Sequence, residues 1–534
     1  MQTSSSVAAT SPTGIPLADA TSSSRYWLLC ALLVALASLP VVIAVYPPFI
    51  DYPFHLARID LLSRWSTSDF VREHYEIASL WLPNLSLEMT MLPLARLLPS
   101  QWAGVVFICM TFALLLSGTA ALHRALFGTH SAWALVASGW LYNWIIFYGF
   151  MNYVFGVGIM LWCLTAWIRL SSRAWQARLI AGCALALAVF FCHLLAFFLY
   201  TALVAGYELQ RAFVRWRTER RLGGSDLVVA AAQFVIPFVV YLAISPVRST
   251  TTHRFIYDLG AKFASPIVTL TSGNLIVDLI TLVLLTIGAI MIVRSAKVEF
   301  ASQFIGPLIG LAVIFLMAPL TVTRPGPAYV DVRIPMAALF VLIAATRITF
   351  KSDQTARLAA GVFAVYLLIK IAVLSVAAAQ YRQLVHEHFA AFERIDPQST
   401  LFAVRQRVDD TWFRRFYIDR LVSPRHIDAL AAMQRDVFVP ALYTVPGGQP
   451  IQVRAKFRAL KKAQGDQPVE VRNERELAQT LTNFAQLQRA ASPHRSAYVL
   501  MQDRAAPLAF PPGVEEIASG PGFRLVRIVR RQPD

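Results

Sequence analysis

The sequence predicts a polytopic α-helical membrane protein with a small extramembrane α/β domain at its C-terminal end, and three observations lead there. Hydrophobic residues make up 57% of the 534-residue chain and charged residues 15%, with a mean hydropathy of +0.54. An apolar excess of that size belongs to chains that sit in lipid. It is laid out in repeated runs of roughly 20 residues, enough for a helix to cross the hydrocarbon core. From roughly Gln380 onward the composition turns ordinary, with short β-rich runs punctuated by Gly and Pro. A soluble enzyme is excluded.

Taken in order, the apolar runs place crossings at Tyr26 to Tyr46, Trp102 to Leu122, Ala132 to Tyr148, Tyr153 to Ile168, Leu227 to Ile244, Leu275 to Val293, Phe304 to Val322, Ile334 to Thr346 and Leu358 to Ala379. The stretch from Leu179 to Leu209 is too long for one crossing and is split into a hairpin turning at Cys192 and His193. The expectation is about eleven transmembrane helices. Residues 1–24, rich in Ser, Thr and Ala, cannot bury a core and are expected to be disordered. Residues 25–379 form the transmembrane part, with a first outer loop at 47–100. Residues 380–534 form the α/β domain, with helical runs at His426 to Met433 and Glu474 to Leu487 and strands at Thr400 to Val404, Ala497 to Met501 and Phe523 to Val529.

Basic loops stay in the cytoplasm, so Arg169, Arg173 and Arg178, the Arg211 to Arg221 group, Arg294 with Lys297, and Arg347 with Lys351 mark the inner side. The acid-rich loop after the first crossing falls outside, and an odd number of crossings sends the C-terminal domain to the same side. This placement accounts for much of the net charge of +17 without nucleic acid. All five cysteines, Cys30, Cys109, Cys163, Cys183 and Cys192, lie in apolar runs and lack the spacing of a metal cluster or an exported disulfide.

The segment DYPFHLAR, Asp51 to Arg58, gathers Asp, His and Arg where the first apolar run ends. Pro47 and Pro48 stop the helix and set the acid beside it. Two amphipathic helices near Phe54 to Trp65 and Phe70 to Leu80 would lie along the membrane surface. His55 and Arg58 are three apart on one face, able to approach Asp51 or a phosphate together, whereas Arg64 is read as a headgroup contact. The loop TRPGPAYVDVR, Thr323 to Arg333, places Arg324, Asp331 and Arg333 between apolar runs with two stiffening prolines. An Arg333 to Asp331 surface pair is the plainer alternative there. Glu88 reads as a second acid or a helix-start charge, Asn152 as a helix cap or a substrate contact, and His193 as a hydrogen-bonded structural residue or a cavity-lining one. The Val439 to Pro450 loop, punctuated by Pro and Gly, could fold back over the membrane cavity.

With its first-loop acid, its surface helices and its outer C-terminal domain, the chain resembles the GT-C superfamily of integral-membrane glycosyltransferases. DYPFHLAR in particular resembles the matching segment of bacterial relatives of protein mannosyltransferases and aminoarabinose transferases. The resemblance implies a GT-C-like fold in a bacterial inner membrane, the N-terminus cytoplasmic and the C-terminal domain periplasmic. It implies a polyprenyl-phosphate-sugar donor, a glycan, lipid or protein acceptor, membrane lipids as partners, and catalysis by the first-loop acid, here Asp51. The chain departs from the pattern in having Tyr52 where many members pair a second acid, and it lacks a WWD-type motif. No cofactor is implied, and a divalent cation stands as an alternative without a paired-acid motif to hold it.

The chemistry follows from the residues as well. Sugar transfer from a phosphate needs a base for the acceptor, for which Asp51 is the candidate, and cations for the leaving phosphate. Arg58, Arg324 and Arg333 offer the paired donors that suit it. Two rival readings are a transporter or flippase, which would favour repeat symmetry and mid-membrane charge, and a non-catalytic lipid- or sugar-binding relative.

Overall fold

The computed structural model describes residues 23–79, 82–220, 224–244, 254–322, 328–408, 424–444 and 448–529. Arg324 and residues 1–22 of the N-terminal tail lie outside the described residues, as do residues 445–447 of the Val439 to Pro450 loop. Among the described residues, 7 helices are long and apolar enough to cross a membrane: Ser23–Ala44, Ser100–Phe127, Met151–Ser172, Trp175–Cys192, Gly224–Ile244, Leu275–Ser295 and Asp353–Phe392. The chain is therefore a polytopic α-helical membrane protein with a C-terminal β-sheet region.

Two apolar runs take other forms, and a third keeps its span with a turn inside it. The run expected from Ala132 to Tyr148 is not one helix but two short ones, Ala132–Leu135 and Trp144–Tyr148, joined by a 3-10 turn at Val136–Trp140. The break has a physical cause, because Asn143 caps the second piece by accepting from the backbone of Ile145 and Ile146. Broken backbone at membrane depth leaves carbonyls that need donors. Lys370 supplies them, its Nζ lying 2.7 Å from the Gly139 carbonyl and 3.0 Å from that of Tyr142. The run from Phe304 ends as a helix at Met317 and continues into a two-residue strand, Thr321–Val322. The run from Leu227 is interrupted between Ala232 and Val235. The hairpin does turn at His193, between Trp175–Cys192 and Leu194–Glu219.

The first loop folds as α2 (Tyr52–Ser63), α3 (Asp69–His74) and β1 (Tyr75–Ile77). The second helix expected there thus ends at His74, and the rest of its span turns into a strand. That strand pairs antiparallel with β7 (Ile451–Val453) of the C-terminal unit, Glu76 opposite Gln452. Neither helix rests on a lipid surface alone, since Phe54, Leu56, Ile59, Leu61, Phe70 and Val71 are all buried.

The C-terminal unit is built on a five-stranded sheet. Strand β6 (Thr400–Gln406), next to one edge, runs parallel to the central strand β9 (Ala497–Gln502) on one side and to the edge strand β8 (Val469–Val471) on the other. The last two strands, Val514–Gly520 and Phe523–Ile528, extend the sheet as an antiparallel hairpin. The helix Glu474–Ala491 covers one face, with Phe484 stacked on Phe402 at 4.0 Å between ring centres. The 40-residue helix Asp353–Phe392 is about 60 Å long, twice a hydrocarbon core, so it runs out of the membrane into this unit.

A recess between the first loop and the C-terminal unit

The first loop and the C-terminal unit share a dense interface. His74 is buried between the rings of Phe438 and Phe457, shares a hydrogen bond of 2.9 Å with the Phe70 carbonyl through Nδ1, and accepts from Arg495. Arg495 also pairs with Glu73 at 2.6 Å. Arg64, expected at lipid headgroups, instead holds Asp60 at 2.8 Å, Asp436, and the Ala432 carbonyl at 2.9 Å. Its fork matches two carboxylates and a carbonyl better than it matches a mobile headgroup.

Asp51 sits at the inner end of this interface. Its backbone N–H donates to the Tyr148 carbonyl at 3.2 Å, and that of Ile50 to Phe147 at 2.9 Å. Gly149 lies against it with φ +98°, and a Cβ there would stand 2.6 Å from the Asp51 nitrogen. Only glycine allows both that conformation and that approach. Asp51 is the N-cap residue of α2, yet its carboxylate makes no capping bond. The group keeps 29% of its side chain open, and this opening beside His426 is the recess. Desolvation by the surrounding protein raises its pKa to about 7 against the opposing pull of Arg425 and Arg333. A carboxylate held near neutrality suits proton transfer at physiological pH.

The residues nearest it come from both ends of the chain. His426, fully buried and tilted on the Phe54 ring at 4.1 Å, brings Nε2 to 3.6 Å from Asp51 Oδ1. Neither of its ring nitrogens has a hydrogen-bond partner among the described residues. Burial, then the charges of Arg425, Arg405 and Lys461, push its pKa well below the ordinary value, so the ring is neutral. Asp428 is buried two residues on, its pKa raised to about 7 by desolvation. Arg333 enters from α16 (Val330–Ala345), its guanidinium 3.7 Å above the Phe150 ring and bonded to the Ala328 carbonyl at 2.7 Å. It turns away from Asp331, which instead accepts from the backbone of Val332. The surface pair that was the plainer alternative does not form. Tyr443, in the Val439 to Pro450 loop, is among the groups that act on Arg333.

The remaining predicted residues support the recess from behind. Arg58 and Glu88 are both buried and paired at 2.7 Å, so Arg58 faces a carboxylate and not an open cavity. The Arg58 Nη2 that meets Glu88 also lies 3.0 Å from His55 Nδ1, and His55 Nε2 donates to the Gly149 carbonyl at 3.1 Å. Burial and Arg58 lower the His55 pKa to about 3, which keeps it neutral. The chain Glu88–Arg58–His55–Gly149 thus ends on the glycine that abuts Asp51. Asn152 is likewise a fastener, accepting from Ser86 and Leu87 and donating to the Asn84 carbonyl at 2.7 Å. His193 caps the helix that follows it by accepting from Leu195.

Sequence reasoning missed Arg425, His426 and Asp428. A basic–acidic His-containing segment, SPRHID, was present, but nothing local tied it to a loop some 370 residues earlier. Among the described residues no group of three His, Cys, Asp or Glu side chains converges as metal ligands would.

Comparison with known proteins adds the fold. No protein-family model and no curated protein sequence matches the chain. Among solved structures, ArnT from Cupriavidus metallidurans in the apo state superposes with a TM-score of 0.50 over 96% of this chain and 100% of that chain, at 12% identity. The two share a fold over nearly the whole of this chain. Identity that low speaks for the scaffold alone.

Proposed function

We propose that the protein is a membrane glycosyltransferase that moves a sugar from a polyprenyl-phosphate-linked donor to an acceptor entering the recess, with Asp51 as general base. The observation that carries this reading is the uncapped, desolvated Asp51 carboxylate, open to the recess and faced by Arg333 and Arg425. Asp51 takes the proton of the acceptor as the acceptor attacks the anomeric carbon. The bond from that carbon to the phosphate oxygen breaks, and the polyprenyl phosphate leaves with the electron pair. Arg333 meets the developing phosphate charge, and its stacking on Phe150 presets the fork. Neutral His426, its Nε2 3.6 Å from Asp51 Oδ1, brings the C-terminal unit to the edge of the site.

Eleven crossings are also proposed, counting the broken Ala132 to Tyr148 segment, and with them a cytoplasmic N-terminus and a periplasmic recess and C-terminal domain beginning near residue 380. The shared interface of the first loop and the C-terminal unit supports their common side. Mass spectrometry of lipids released from the purified full-length protein tests the donor class, the expected species being a polyprenyl phosphate bearing a sugar. A preparation that holds no such lipid and neither binds nor consumes added polyprenyl-phosphate sugars would remove the proposal.

A further inference from the structure

The helices Leu275–Ser295 and Asp353–Phe392 line an apolar cavity of about 680 Å³. Its walls are aliphatic, from Leu279, Val283, Leu358 and Val365, with Arg357 the one charged residue among them. Arg357 is exposed and enters no ion pair or hydrogen bond among the described residues. Gly361 lies on the wall one turn further along, with open space where a side chain would be. A mid-helix glycine gives up helix stability relative to alanine, and here its effect is to leave the groove unfilled.

The mouth of the groove is basic. Strands Ala296–Phe300 and Thr346–Phe350 pair as a short ribbon that ties the two helices together, Lys297 opposite Thr349 and Glu299 opposite Arg347. Arg294 and Lys351 flank it, and the Lys351 amide donates to the Ser295 carbonyl. Helix α16 runs from Arg333 in the recess to Ala345 at this ribbon, so the ribbon marks the opposite end of the bundle. An apolar slot that opens beside a free arginine and a basic ribbon has the pattern of a lipid with an anionic headgroup.

We propose that this groove binds an anionic bilayer phospholipid of the leaflet opposite the recess, acyl chains between the two helices and phosphate on Arg357. The proposal is independent of sugar transfer. Charge decides between a phospholipid that is anionic and one that is zwitterionic, because the aliphatic walls would take either.

The test uses the full-length protein in lipid nanodiscs and phosphatidylglycerol carrying a photoreactive group in an acyl chain. Irradiation should label peptides spanning 279–284 and 358–369. Arg357→Gln should lower that labelling about five-fold, Arg357→Lys should largely retain it, and Gly361→Leu should abolish it by filling the slot. Labelling along the lipid-facing side of the first helix, at Leu28 and Leu32, should stay constant and report a folded protein. Unlabelled phosphatidylglycerol should compete and phosphatidylcholine should not. Equal labelling of Arg357→Gln and the parent, or competition by polyprenyl phosphate in preference to phosphatidylglycerol, would overturn the assignment.

Discussion

Each end of the helix bundle carries a buried cluster of charge, and the two are finished differently. At the end away from the recess, Arg178 holds Glu208 at 2.9 Å and also Asp226, Arg211 holds Glu208 at 2.9 Å, and Arg215 holds Asp226. Trp167 adds its indole N–H to Glu208 and lies under the Arg178 guanidinium. Every acid there has two arginines. At the recess, Arg58 and Glu88 pair only with each other among the ionised groups, and the part-open Asp51 and the buried His426 and Asp428 have no arginine bonded to them among the described residues. Satisfied networks brace helices, whereas desolvated groups left unpaired store free energy that a substrate can use. The contrast sets the paired charges of this chain apart from those on which the proposed chemistry rests.

Removing the unpaired acid should have the largest effect on chemistry. Asp51→Asn keeps the shape and removes the base, so turnover of the lipid-linked donor should fall by about 10²- to 10⁴-fold, with the folded yield unchanged. In the parent, turnover should rise with pH through about 7 as Asp51 loses its proton. A flat profile from pH 5 to 9 would take the base role from it.

The braced cluster should respond in the opposite sense. Glu208→Gln leaves Arg178 buried with one acid fewer, and loss of one partner of a buried pair costs about 3–5 kcal/mol. Thermal unfolding in detergent should show the loss, while turnover per folded molecule stays near that of the parent. A large fall in turnover without one in stability would erase the distinction between the two ends.

A smaller effect is expected at Arg333. Arg333→Lys keeps charge and loses the planar fork and its stacking on Phe150, so donor affinity should weaken about ten-fold, roughly 1.4 kcal/mol. Arg64→Lys, at a partly exposed tie between the first loop and the C-terminal unit, should change donor affinity little and stability by about 1 kcal/mol or less. Equal donor affinities for the two variants would place Arg333 outside the phosphate site.

Much of the scaffold was legible because lipid imposes a simple length and polarity rule. Tyr26 to Tyr46, Trp102 to Leu122 and Leu275 to Val293 each lie mostly within long apolar helices. The rule cannot see Ala132 to Tyr148 as broken, because the donor that permits the break, Lys370, lies more than 220 residues away. Strands of the C-terminal unit were readable where turn residues bound a β-rich run, as at Thr400 to Val404. They were not readable at Tyr75–Ile77, which is a strand only because Ile451–Val453 lies beside it. Within the candidate site, Asp51 stood out for its place after two prolines. His55 and Arg58 were seen to share a face, and Arg58 does bond His55, but its main partner is Glu88. His426 was invisible as a neighbour of Asp51, since tertiary contact across the whole chain brings the two together.

The central claim is that Asp51 is held for chemistry at the expense of folding, and stability measured against pH tests it most directly. Its pKa in the folded protein is raised to about 7 from 3.8, so folding favours the protonated form. The stability from that preference is full below about pH 4 and lost as pH rises through about 7. Asparagine mimics the protonated side chain at every pH. Unfolding of parent and Asp51→Asn by denaturant should therefore coincide at pH 4, with the variant more stable at pH 8 although its turnover is lost. A variant less stable than the parent at pH 8 would show Asp51 to be one more structural charge, and would contradict the account.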